Sequence, residues 1–341
     1  MLDRLGPTVS DGDGNVTLFL SGDVMLGRGI DQIMPVSVHP SIHEPFLTDA
    51  RQYIRLAEAV NGPIPRPVDP AYVWGDALAE LAFFGPAARI VNLENAVTSR
   101  GTPWAGKVIH YRLHPANVGV LQVPALDCCV LANNHVLDWG HSGLQDTLNT
   151  LDGADILVAG AGKDECAAQA PAAIPVGNDL RVLVFGMASP TSGVPAAWRA
   201  DSDRSGVNLI GNDIGRTVRS VVDRVGRKGP RDIVVVSIHW GGNWGYGIPA
   251  EQRALAHALV DSGCVDIVHG HSSHHPKGIE VYRERLILYG CGDLLNDYEG
   301  IRGHEEYRGD LSLMYFPTLD AKTGRLFGLT LTPMRIGQFR L

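Results

Sequence analysis

Four of the 13 histidines in this 341-residue chain, His269, His271, His274 and His275, fall within the stretch "VDIVHGHSSHHPKGIEVY", directly after an apolar run. A strand ending there can deliver imidazoles to a metal ion. Four further clusters end apolar runs in the same manner: Asp23 in "SGDVMLGR", Glu94 in "VNLEN", Asn134 with His135 in "ANNHVLDWG", and His239 in "SIHWGGNWG". Carboxylate, amide oxygen and neutral imidazole, without thiolate, are the donors for a divalent ion that accepts mixed nitrogen and oxygen ligands. One ion would not use them all, whereas two ions bridged by a carboxylate, about 4 Å apart, would. Each cluster has an ordinary explanation when taken singly. An Asp after Ser-Gly caps helices and turns, an Asn-Asn pair makes a turn, and a histidine in an apolar strand is commonly a satisfied core residue. Five such clusters, each at the end of an apolar run, together point to a metal centre.

The runs that must position these groups lie at 16–23, 88–95, 127–135, 155–162, 181–189, 232–242, 264–271 and 285–293. They are of strand length and rich in β-branched residues, and their near-continuous apolarity suits strands covered on both faces. Amphipathic stretches alternate with them. One is "AEQRALAHALVDSG" at 250–263, with Leu255, Leu259 and Val260 on one face and Gly263 as its C-terminal stop. The alternation predicts a layered α/β fold with ligands gathered at the carboxyl ends of the strands. A Pro-rich insert at 35–75 interrupts it after the first strand; it carries one helix, from Thr48 or Asp49 to about Asn61, and is either a lid or substrate platform or an ordered surface excursion.

The formal charge of -8 and the absence of a basic cluster exclude a binder of the nucleic-acid backbone. Five cysteines without CxxC spacing indicate neither a disulfide framework nor a structural zinc site. No run approaches about 18 apolar residues, and the first residues lack the pattern of a signal peptide, so the expectation is a cytoplasmic chain without a membrane span, forming one domain over 1–341.

The ordered motifs "GDVMLGR", "NLEN", "NNHVLDWG", "HWGGNWG" and "GHSSHHPKGIEVY" resemble those of the CapA (capsule and poly-γ-glutamate biosynthesis) family, a branch of the calcineurin-like metallophosphoesterase superfamily. The resemblance spans roughly residues 16–300 and implies a four-layer αββα sandwich with a dinuclear site at the strand ends. It implies Asp23 as the first metal carboxylate, Glu94 as a bridging carboxylate, Asn134 as an amide ligand, and His239, His271 and His274 as imidazole ligands. His135 is similar to the histidine that serves as an acid or polarises the substrate, with Asp138 as a further acid/base candidate. His141, His269 and His275 match no role and are expected to be structural or to support ligands. One departure stands out: where the phosphoesterase pattern has a ligand histidine two residues after the aspartate, this chain has Met25, a poor partner for a hard ion.

Three activities follow as expectations. The favoured one is a metal-dependent peptide epimerase, which inverts an α-carbon by removing and returning a proton. The resemblance extends to soluble members of ribosomal peptide maturation such as a lasso-peptide tryptophan epimerase, and implies a peptide partner presented by a leader-binding protein. The alternative is a hydrolase of phosphoester or amide bonds, with Arg28 and Arg112 as the nearby cations for a phosphate. A binding protein without chemistry is the third. Arg28 and the aromatic loop residues Trp240, Trp244 and Tyr246 are the candidate substrate contacts, the tryptophans having core packing as an equal explanation. Manganese, zinc, iron, nickel or, in an oxygen-rich half-site, calcium all suit the donors.

Overall fold

Alternation along the central strands divides the apolar residues between two cores. In the strand Asp232–His239, Ile233 and Val235 join Val182, Val184, Ile267, Leu18, Leu20 and Ile90 in one cluster, while Val234, Val236 and Ile238 join Leu255 and Leu259 in another. A period of two with apolar residues on both faces requires a strand sandwiched between layers. The computed structural model describes residues 14–177, 180–226, 229 and 232–341. In it, the strands Leu326–Arg335, Leu311–Asp320, Asn15–Val24, Ala88–Leu93, Cys128–Val130 and Leu157–Ala159 lie in that order in one sheet, with Asp293–Leu295 added beside the end of Asn15–Val24. The second sheet runs Ile279–Tyr282, Arg285–Leu288, Ile267–His271, Asp232–His239, Arg181–Ala188 and Ala172–Pro175.

The sheets pack face to face over the first cluster. Helices Ala77–Phe84 and Gly140–Asp152 cover the outer face of one, and Ile214–Val225 and Ala250–Asp261 that of the other. The layering is α, β, β, α. Each fully buried Val, Leu or Ile in these layers contributes about 1.5–3 kcal/mol relative to exposure. The helix of the insert spans Arg51–Asn61, beginning later than expected: Asp49 accepts from the Arg51 N–H at 2.9 Å, and Ala50 occupies the cap. Among the described residues no helix is long and apolar enough to cross a membrane.

The central strands of both sheets are parallel, so their carboxyl ends share one rim. Asn15–Val24 reaches that rim through a bulge. Ser21 pairs with Val91 and Asp23 with Asn92, leaving Gly22 as the extra residue. Bulges re-aim the following side chain, here that of Asp23. A Cβ on Gly22 would lie 1.8 Å from the Gly292 carbonyl oxygen, a backbone atom that cannot swing aside. Gly22→Ala is therefore expected to lower stability by about 1–3 kcal/mol through overpacking, measured as a lower denaturant midpoint; an unchanged midpoint would show that the bulge tolerates a side chain.

Candidate metal centre

At the shared rim, the ends of Asn15–Val24, Asp232–His239 and Ile267–His271 bring Asp23, His239 and His271 together, all buried, with one potential ligand atom from each within 4.8 Å of the others. Which nitrogen each imidazole offers follows from the hydrogen bonds around it, since a neutral ring has one donor and one acceptor. His269 Nε2 lies 2.9 Å from the Ser21 carbonyl oxygen, which can only accept. Burial pushes His269 down to about 4, so the ring is neutral and its Nδ1 must accept. Ser237 Oγ, 3.0 Å away, supplies that proton. With its only proton used, Ser237 Oγ accepts from His271 Nε2 at 2.9 Å. His271 Nδ1 is left as a bare lone pair.

On the other side, His239 Nε2 donates to Asn134 Oδ1 at 3.0 Å, which leaves its Nδ1 bare as well. Burial holds both rings well below the usual imidazole range. The two Nδ1 atoms face each other at 2.8 Å, and Asp23 Oδ1 stands 3.8 Å from His271 Nδ1. Two imidazole lone pairs converge beside the Asp23 carboxyl, with no proton between the two nitrogens. Lone pairs at that distance repel unless a cation lies among them, so these residues fit a divalent ion.

The carboxylates carry the same message. Burial first, then its neighbour Asp293, pushes Asp23 up to about 7; burial, then the charge of Asp23 and a hydrogen bond to it, holds Glu94 well above the usual carboxyl range. Asn92, which donates to Asp23 Oδ1 at 2.7 Å and to Glu94 Oε2 at 3.3 Å, spaces the two. Glu94 and Asn134 therefore stand beside the converging donors: Glu94 Oε1 is 3.8 Å from His239 Nε2 and 3.9 Å from His135 Nε2.

A second cluster joins Asp23 to His274 and Asp293. Asp293 begins the strand beside Asn15–Val24 and lies at the end of the apolar run 285–293, so its signal was in the sequence though it carried no assignment. His274 Nδ1 is 2.9 Å from Asp293 Oδ1. Met25, at the position of the missing histidine, is buried and accepts a weak hydrogen bond from the Tyr298 hydroxyl at 3.7 Å.

His135 stands on the loop after Cys128–Val130, shaped by Asn133, whose side chain accepts from the backbone N–H groups of His135 and Val136. Its Nδ1 is 2.6 Å from Asp138 Oδ2, and Lys107 Nζ binds Asp138 Oδ1 at 2.5 Å. Burial would raise Asp138, but His135 and Lys107 outweigh it and hold the carboxyl below its usual range. Burial pushes His135 down to about 4 despite Asp138. The ring is neutral, with Nδ1–H given to Asp138 and Nε2 free. Asp138 thus holds the His135 ring and is itself buried, outside the cleft lining. Lys107 was not anticipated; nothing in its spacing marks it.

Both His135 and His274 line a cleft of about 660 Å³ walled by Phe46, Tyr53 and Val60 of the insert and by Trp244, Tyr298 and Ile301. Of the four expected substrate contacts, Arg28 and Trp244 line the cleft and Trp240 and Tyr246 do not. Trp240 is buried in the helix-side core and donates to the Tyr289 carbonyl at 3.0 Å, because it directly follows the strand Asp232–His239, ahead of the glycine turn, with its backbone N–H on the His271 carbonyl. Tyr246 is exposed and packs on His275 and Tyr307 outside the cleft lining. Arg28 lines the cleft but its guanidinium is consumed by Asp297, Glu44 and Tyr53. His269 reaches His271 through Ser237, and His275 stacks on Tyr307. His141 lies 3.2 Å from Ser205 Oγ, away from the cleft. Arg112 lies over the Trp139 ring at 3.5 Å.

A proton on Asp23 or Glu94 competes with a cation, so lowering the pH from about 8 to about 6 is expected to weaken divalent-metal binding by about tenfold per pH unit for each proton released. The low-lying His239 and His271 remain neutral through that range and do not contribute. Calorimetric titration in two buffers of different ionisation enthalpy measures the released protons; pH-independent affinity with no release would contradict the protonated carboxyl pair.

The family model for the bacterial capsule synthesis protein PGA_cap matches residues 17–298. A probable polyglutamine synthesis accessory protein of Mycobacterium tuberculosis is 48% identical over 328 residues, covering 96% of this chain and 86% of its own length. The PGA biosynthesis protein CapA of Bacillus subtilis is 29% identical over 277 residues, 81% of this chain and 62% of its own. Among solved structures, a novel phosphatase from Mycoplasma pneumoniae shares the fold, with a TM-score of 0.50, 12% identity and 94% of both chains covered. The order of strand-end motifs, the sandwich and the extent of these matches agree, and the chain belongs to the bacterial capsule synthesis (PGA_cap) family.

Proposed function

We propose that this chain is a metal-dependent hydrolase cleaving an amide bond of a glutamate- or glutamine-type polymer. The observation that carries the reading is the orientation of His135: Nδ1 is held by Asp138, and Nε2 is free at a cleft beside Asp23, His239 and His271. The names of the relatives, a polyglutamine synthesis accessory protein and a PGA biosynthesis protein, supply the substrate class. A divalent ion held by Asp23, His239 and His271, of the manganese, zinc, iron or nickel type, would supply Lewis-acid polarisation of the scissile carbonyl. His135 Nε2 then accepts the proton of the attacking water and returns it to the leaving amine, a role that a neutral imidazole at pH 7 can fill. Lys107 keeps Asp138 ionised and occupies its second oxygen, so that Asp138 Oδ2 remains for His135. Arg28, the cation of the phosphoester reading, is already paired with buried carboxylates; Arg302, Arg308 and Arg335 also line the cleft.

Peptide epimerisation is the second reading. The observation favouring it is that two histidine–carboxylate pairs, His135–Asp138 and His274–Asp293, belong to one cleft; inversion at an α-carbon needs one group to remove a proton and another to return it. A leader-binding protein would present the peptide in that case.

Incubating metal-loaded protein in D2O with defined glutamate and glutamine oligomers separates the two. Shortened oligomers without deuterium at the α-carbon support hydrolysis; intact oligomers with α-deuterium and D-residues support epimerisation. His135→Ala is expected to lower turnover by about 10²–10⁴-fold, and a variant with full turnover would remove His135 from the chemistry.

A further inference from the structure

Both clusters at the rim contain Asp23, yet their hydrogen bonds differ in kind. In the first, the relay from the Ser21 carbonyl through His269 and Ser237 and the bond from His239 to Asn134 leave two bare nitrogens facing each other at 2.8 Å. That arrangement is incomplete without a cation. In the second, nothing is left over. His274 Nε2 accepts from the Asn243 amide at 3.1 Å, so its Nδ1 carries the proton and donates to Asp293 Oδ1 at 2.9 Å. Asp293 Oδ2 accepts from the Asn296 amide at 2.9 Å. Both ring nitrogens and both carboxylate oxygens have partners within the chain. Asp23, the remaining member, already accepts from Asn92 and from the Ser272 backbone N–H at 3.3 Å.

From this contrast we infer that the centre takes one tightly bound divalent ion, at Asp23, His239 and His271, and that His274–Asp293 is a proton-holding pair standing where a second ion was expected. Met25 fits the same division. The residue that would complete the second ligand set is a thioether engaged by the Tyr298 hydroxyl, so a second ion would have to displace the proton between His274 and Asp293 and gain only soft sulfur in return. A second dication at His274 and Asp293 would need nitrogen and oxygen donors that this pair has already committed. The pair also mirrors His135–Asp138, so the two sides of the cleft are matched in chemistry. The inference rests on the metal reading proposed above but not on which reaction the cleft performs.

Ion counting tests it without any substrate. The full chain is stripped with chelator, loaded with excess Mn2+, freed of unbound metal on a desalting column and measured by elemental mass spectrometry and electron paramagnetic resonance. One ion per chain, with the hyperfine-split signal of an isolated Mn2+, is expected for the wild type and is expected to persist in Asp293→Asn. His239→Ala is expected to lose it. Two ions per chain with an exchange-coupled signal, or loss of the ion from Asp293→Asn, would overturn the single-ion assignment while leaving a metal enzyme. A wild type retaining no ion would instead overturn the metal reading itself. His274→Gln, which keeps a side-chain amide beside Asp293, serves as the second variant if Asp293→Asn does not fold, with the same outcomes.

Discussion

Two imidazole lone pairs that face each other beside the Asp23 carboxyl, with no proton between them, are the constraint on which the rest of this molecule depends. Buried polar groups are ordinarily paired, and leaving them unpaired costs about 1–3 kcal/mol each. His271 and His239 are kept in that state by neighbours that accept the one proton of each ring, Ser237 and Asn134, while Asn92 donates its amide N–H to Asp23 Oδ1. Each of those neighbours sits on or just past a central strand of one of the two sheets. The sandwich is thus the scaffold that makes the unfavourable contact affordable, by burying far more apolar area than the contact costs.

Around this centre the electrostatics are graded. Towards the Cys128–Val130 strand, Lys107 and Asp138 fix a neutral imidazole. Towards the cleft, Arg28 and its acidic partners form a closed ionic group beneath the Tyr53 and Tyr111 rings, which lie 3.9 and 4.4 Å from the guanidinium. The charge of Arg28 is therefore spent internally, while Arg302, Arg308 and Arg335 and the carboxylates of Glu305 and Asp310 line the cleft together with its aromatic and apolar residues.

Much of this was legible in the sequence, because the strand ends announce themselves: an apolar run that stops at Asp, His or Asn can be read without knowing its neighbours. The layering followed from the same runs. What could not be read were pairings across great sequence separation. Arg28 meets Asp297 across 269 positions, and no local pattern says that its charge is already taken. Asp293 could be seen at a run's end but not placed beside Asp23, because the run 285–293 is not one strand; Arg285–Leu288 belongs to one sheet and Asp293–Leu295 to the other. Trp240 and Trp244 were read together, yet a glycine turn separates them and sends one into the core and the other to the cleft. The polarity of His269, which decides the tautomer of His271, depends on a carbonyl 248 positions away.

That last bond has a mechanical side. Ser21 belongs to one sheet and His269 to the other, so the hydrogen bond between them crosses the sandwich at its rim. Sliding one sheet over the other would break it, free a proton for His271 and dismantle the cradle in the same motion. An ion in the cradle consequently acts as a rivet between the sheets, and its binding energy is returned as resistance to shear.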